Sequence, residues 1–197
     1  MRYTYAMRKF LLEPTVTAEW HALVTEAEDH CGQRLEERLE SYLVFLLQRF
    51  VNKPELASSV LAVDYLRCQE CVGAQQQLLL QEVGDKCLLF SGLFPEQAEH
   101  KHITVSYFIE MGQSAYHYLA DLSSHKQVTH LLFQRLGEKF VQLMKLLHEI
   151  RVLGNNGLKL SPLQAEELWR TTGSSAALAA LQTVTKATPL NFSANKT

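Results

Sequence analysis

Between Val105 and Ser124 the chain sets Ser106, Glu110, Gln113, His117 and Asp121 at steps of three and four residues, the spacing that stacks side chains along one face of an α-helix. His117 followed one turn later by Asp121 is the arrangement in which a carboxylate fixes an imidazole tautomer, either for a general base or for a metal ligand. Glu110 adds an oxygen donor two turns before the histidine. Glu110, Gln113, His117 and Asp121 are therefore the candidate ligand-binding set, on what is expected to be a central helix. The competing reading is the solvated face of an amphipathic helix, which is the commoner fate of such a stripe. The direction in which the face points once the helices assemble decides between them.

The other constellations are weaker. Cys68 and Cys71 have the two-residue gap of zinc sites and thiol redox centres, but a structural zinc needs four ligands, and Cys31, Cys87, His30 or the His100 and His102 pair would have to complete the set from afar. A thioredoxin-like centre expects a βαβ setting that this helical chain lacks, so both cysteines are read as small hydrophobes on a helix. A di-iron bundle needs Glu-x-x-His on two helices; the chain has one such motif, Glu99 to His102, in a predicted loop. His117 or His148 has the chemistry of a haem axial ligand, yet a lone helical histidine is more often an ordinary polar residue. Phosphate-binding loops, nucleophile elbows and kinase or zinc-protease motifs do not occur. No catalytic residue, metal site or cofactor is assigned, and enzyme status has no positive support.

Gly84 and Gly112 sit inside apolar, helix-like sequence, where glycine is less favourable than alanine by about 1 kcal/mol. Either two helices pack closely there or a ligand needs the space. Phe90, Phe94, Tyr107, Phe108, Met111, Tyr116 and Tyr118 crowd around these glycines. Such a set usually makes core; as a site it would line an apolar pocket carrying a few hydroxyls.

The elements that must position these residues are helical throughout. Thr17 is expected to cap a first helix carrying Trp20, Leu23, Val24 and Ala27, which stops at Gly32. A second follows with Leu35, Leu39, Leu43, Leu46, Leu47 and Phe50 on one stripe, ending near Asn52 and Pro54. Residues 55–90 carry two helices broken near Gly73, the second with Leu79, Val83, Cys87 and Phe90. Ser91, Gly92 and Pro95 stop it, and a polar connection leads to a helix with Val105, Phe108, Ile109, Gly112, Tyr116 and Leu119 on its apolar stripe. Val128, Leu132, Leu136, Phe140, Leu143, Leu147 and Ile150 predict one longer helix to Gly154. Ser161, Pro162 and Gln164 form a capping box for a short helix through Trp169, and Ala176 to Lys186 favour a last one by propensity. Ile103 to Tyr107 is the one tempting strand.

A chain of 197 residues, 47% hydrophobic and 20% charged, suits one globular domain. The expectation is an all-α, single-domain bundle of about seven to eight helices: an N-terminal arm over residues 1–16, a helical domain over 17–187 and a tail over 188–197. A net charge of -2 gives no basic footprint for nucleic acid. Apolar runs are too short to cross a bilayer, the N-terminus lacks the apolar stretch of a signal peptide, and four cysteines do not make a disulfide scaffold. A cytoplasmic protein with reduced thiols is expected.

The string from Val83 to Glu96, with Val105 to Phe108, Met111 to Tyr116 and, earlier, Tyr42 to Val44, Leu46, Leu47 and Phe50, resembles a family of uncharacterised, mostly helical bacterial proteins of about this length. The resemblance implies a bacterial, intracellular protein and supplies no activity, cofactor or site residue. With no catalytic motif and ample amphipathic helix, the expected function is a non-enzymatic interaction or scaffold module that binds a protein partner or self-associates. The alternative is a small-molecule or metal-binding protein built on Glu110, His117 and Asp121.

Overall fold

The computed structural model describes residues 15–52, 65, 66, 68, 70–95, 104–154, 165, 166, 169, 170 and 178. Six helices run through them: α1 Val16–Cys31, α2 Glu37–Asn52, α3 Ala74–Leu93, α4 Val105–Leu122, α5 Gln127–Glu138 and α6 Phe140–Gly154. No strand occurs among the described residues, so the all-α class holds, with six long helices among them where seven to eight are expected. The arm and the tail lie outside the described residues except for Thr15 and Val16, which begin α1. Most of the expected segments over 55–64 and 161–186 lie outside them as well.

Local chemistry accounts for the ends. Thr15, two residues earlier than the expected Thr17, caps α1 by accepting the Ala18 N–H at 3.2 Å, and Thr17 instead accepts from Gln48 of α2 at 2.8 Å. Gly32 closes α1 at φ 62, a left-handed conformation that needs no Cβ. The buried Glu28 then anchors the following turn, accepting from Leu35 N at 2.9 Å and from Arg34 at 3.0 Å. Gly73, at φ 68, precedes α3, at the break expected from sequence. Thr104 caps α4 through the Tyr107 N–H, so Val105 to Tyr107 are helix and not strand.

The central helix is α3, not α4. Ten consecutive residues, Val83 to Gly92, are buried, nearly three turns, so the helix is enclosed around its full circumference there. It packs along α4 on one side and α6 on another, α5 lies on α4, and α1 bridges α2 and α6. The expected stripe of α4 is buried in full. The single helix expected over 128–150 is instead two, because the chain turns at Lys139 so that α5 lies along α4 and α6 along α3. Val128, expected in the core, is exposed.

Both glycines first noticed in the sequence serve close packing. A Cβ on Gly84 would stand 2.6 to 2.9 Å from three ring carbons of Tyr116, and one on Gly112 would meet the Phe140 ring and stand 2.8 Å from Cys87 Cβ. Aromatic rings fill the space that the missing side chains leave. Gly92 does the same between α3 and α6, against Leu147.

Gly112→Ala is expected to lower stability by about 1–3 kcal/mol in urea unfolding, because neither the Phe140 ring nor the α3 backbone has room to move. Gly154→Ala, which meets nothing within 4 Å, should be neutral or stabilise by up to about 1 kcal/mol. Equal effects from the two would refute the packing account.

Candidate functional site

The residues expected to form a site on α4 separate once the bundle assembles. Glu110, His117 and Asp121 are exposed and Gln113 is half-buried. Gln113 Nε2 donates to the Gly137 carbonyl of α5 at 3.3 Å, and one flank of the His117 ring lies where a Gly137 Cβ would be, at 2.7 to 3.0 Å. Part of the polar face of α4 is therefore the seam with α5, and Glu110 and Asp121 look outward from it. Among the described residues no three His, Cys, Asp or Glu side chains are grouped as metal ligands. Cys68 is helical and buried, Cys71 is partly exposed and lies outside a helix, and neither is part of a disulfide.

The polar cluster that the fold does assemble was not among the expected residues. It is centred on Asp85 of α3, 2% exposed. Tyr42 of α2 and Tyr116 of α4 donate their hydroxyls to Asp85 Oδ1 at 2.6 and 2.7 Å, and Arg49 of α2 donates to Oδ2. Gln81 Nε2 donates to the Tyr42 oxygen at 3.2 Å. Tyr42 and Arg49 are two turns apart on α2 and reach the same carboxylate only because both side chains are long. The Tyr42 ring meets Phe133 edge-on at 6.3 Å, while Tyr116 stacks on Phe133 at 6.2 Å.

Burial pushes the Asp85 carboxyl above its ordinary value, with the Arg49 charge and the tyrosine hydroxyls opposing that rise. Burial and the neighbouring Asp85 hold both phenols far above theirs, so the tyrosines remain donors at all physiological pH. Burial works against the Arg49 charge, but Asp85 outweighs it and the guanidinium is held protonated. Each carboxylate oxygen is occupied and the phenols are too weakly acidic to act as bases, so the cluster has the chemistry of a joint between helices and not of a catalyst. One signal for it stood in the sequence: Asp85 and Lys86 are the two charged residues within the otherwise largely apolar stretch from Val83 to Leu93.

Among the described residues, the surface above this cluster is open. Between α2 and α5 lies a depression of about 470 Å³ lined by Glu37, Arg38, Ser41, Tyr42, Phe45, Val128 and Leu132. A smaller one of about 240 Å³ continues it past Arg38 and Leu132 to Leu39, Leu131, Glu36 and Arg135, where Arg135 reaches Glu36 at 3.6 Å. Phe45, Val128 and Leu131 stand exposed along it. The Tyr42 ring lines the hollow while its hydroxyl is tied to Asp85.

No protein-family model, curated protein or solved structure matches this chain, so its function is read from geometry alone. Among the described residues no helix is long and apolar enough to cross a membrane.

Asp85→Ala should cost about 3–5 kcal/mol at neutral pH by leaving two phenols and a guanidinium without their acceptor, and Tyr116→Phe about 1–3 kcal/mol; urea titration followed by circular dichroism measures both. A loss under about 1 kcal/mol for Asp85→Ala would show that the cluster does not hold the helices. A second buried group contributes to the acid response. His148 of α6 is buried, its Nδ1 has no hydrogen-bond partner among the described residues, and burial beside Arg151 lowers its pKa to about 4. Between there and the ordinary value near 6.5, the unfolded chain binds the proton that the folded chain refuses. Its contribution to stability is therefore full above pH 6.5, falls by at most about 1.4 kcal/mol per pH unit below it, and stops changing below pH 4. His148→Gln should flatten the stability profile across that window relative to the parent chain.

Proposed function

We propose that the protein is a non-enzymatic interaction module of the bacterial cytoplasm, and that it docks an apolar, helix-forming segment of a protein partner between α2 and α5. The observation that carries this reading is the continuous hollow between those helices, with Phe45, Val128 and Leu131 exposed along it. Contiguous apolar surface with a charged rim, here Glu36, Glu37, Arg38 and Arg135, is the usual mark of a protein-binding face, and a groove between two helices suits an amphipathic helix. Tyr42 in the groove wall is held in place by its bond to Asp85, so that side chain does not have to be ordered on docking.

The competing reading, a metal or small-molecule site around Glu110, Gln113, His117 and Asp121, rests on the helical spacing of those residues. The exposure of three of them gives it less support than the groove gives to protein binding.

Native mass spectrometry of the chain purified from its own host separates the two. A bound polypeptide, either another protein or a second copy, is expected on the parent chain, with occupancy reduced at least about tenfold by Phe45→Glu. A bare monomer in both samples would refute the interaction reading. A stoichiometric metal or small ligand that His117→Ala removes would establish the alternative.

A further inference from the structure

We infer that Cys68 and Cys71 are a redox-responsive thiol pair, closed to a disulfide within one chain by exchange with a low-molecular-weight disulfide of the glutathione class. The inference does not depend on the groove between α2 and α5. Spacing alone reads both residues as small hydrophobes, but the fold gives them different surroundings. Cys68 is helical and 0% exposed. Cys71 is partly exposed and directly follows Glu70, the last helical residue of that segment, and neither cysteine is part of a disulfide. An accessible thiol with a shielded one a turn away supplies the attacking and the resolving member of such a pair.

The backbone allows the bond. Residues three apart at a helix end have Cα atoms about 5 Å apart, inside the range of about 4.4–6.8 Å that a disulfide spans. Their Cβ atoms, about 5–6 Å apart in a regular helix, must close to about 3.5–4.5 Å. The chain on the Cys71 side has room for that small movement. Cys71 and Val72 lie outside a helix and the Val72 side chain is 84% exposed. Gly73 then turns at φ 68, and among the described residues no atom lies within 4 Å of where its Cβ would stand. Cys68 is the fixed member, because its carbonyl accepts from Gln76 Nε2 of α3 at 2.9 Å. The same nitrogen reaches the Tyr118 hydroxyl of α4 at 3.3 Å. Closing the pair therefore draws residues 71–73 toward a turn already tied to two helices and alters the entry into α3.

The exchange balances in two steps. The Cys71 thiolate attacks one sulfur of the small disulfide, forming a mixed disulfide while the original S–S bond breaks and one small thiolate leaves with its electron pair. Cys68 gives up its proton and attacks Cys71 Sγ, expelling the second small thiolate. Two electrons and two protons pass from the pair to the reagent, which departs as two thiols, and an excess of reduced thiol reverses the sequence. Thiol oxidoreductases set their pair at a helix N-terminus. This pair lies at the opposite end of its helix, so it is assigned stoichiometric switching and not turnover.

The test treats the folded full chain with oxidised glutathione, alkylates the remaining thiols after unfolding, and maps the products by mass spectrometry, with hydrogen exchange over residues 70–77 compared before and after oxidation. The expected product is a monomeric chain lighter by two hydrogen atoms, joined from Cys68 to Cys71, with Cys31 and Cys87 alkylated, altered exchange over 70–77 and full reversal by dithiothreitol. Cys68→Ser should stop at one glutathione adduct on Cys71, and Cys71→Ser should gain neither the adduct nor the bond. Cys71 is partly exposed, so Cys71→Ser keeps the test decisive if the buried Cys68→Ser variant fails to fold. A parent chain that does not react, that keeps glutathione on Cys71, or that pairs either cysteine with Cys31, Cys87 or a second chain overturns the inference. So does a bond that forms only in denaturant, or one that leaves exchange over 70–77 unchanged.

Discussion

One carboxylate with almost no access to water, Asp85, holds together helices that otherwise approach each other unequally. α3 and α4 meet along their lengths through glycine and ring contacts, whereas α2 and α3 have little close backbone approach. The link from α2 to the centre is carried by the long side chains of Tyr42 and Arg49 converging on Asp85, with Tyr116 joining from α4. Placing a charge in the core is unfavourable unless its partners are complete, and here they are. The benefit is geometric. Two residues seven positions apart on α2 meet one acceptor, so sliding α2 by a turn breaks both bonds, while apolar stripes alone would tolerate the slip.

The same constraint shapes the surface. Tyr42 belongs at once to the interior, through its hydroxyl, and to the groove, through its ring. Holding α2 at a distance set by side-chain length leaves a hollow against α5, and the turn at Lys139 that directs α6 toward α3 keeps α5 beside α4. The exposed Phe45 and Val128 are thus consequences of how the centre is built.

Much of the bundle was legible in advance because helical periodicity and capping are local. The α4 stripe, the break at Gly73 and the stop at Gly32 follow from spacing and capping, whereas Gly84 and Gly112 left close packing and a buried ligand both open until the rings of Tyr116 and Phe140 were placed against them. The division of one expected helix into α5 and α6 did not, since the apolar period runs through Lys139 without interruption and only packing against two different neighbours separates the halves. Site residues were harder still. Glu110, Gln113, His117 and Asp121 were found because they share one helix face, whereas Tyr42, Arg49, Asp85 and Tyr116 lie on three helices, and no spacing rule connects them.

By itself, then, the sequence determined that the chain is helical and which residues most of the helices offer for burial, because both depend on neighbours within a turn or two. The tertiary structure alone decided that α3 is central, that Asp85 is the shared acceptor, that His117 lies on the seam with α5, and that Phe45 and Val128 remain outside. Those outcomes depend on which faces meet across tens of residues, and a one-dimensional pattern carries the face of each helix but not its partner.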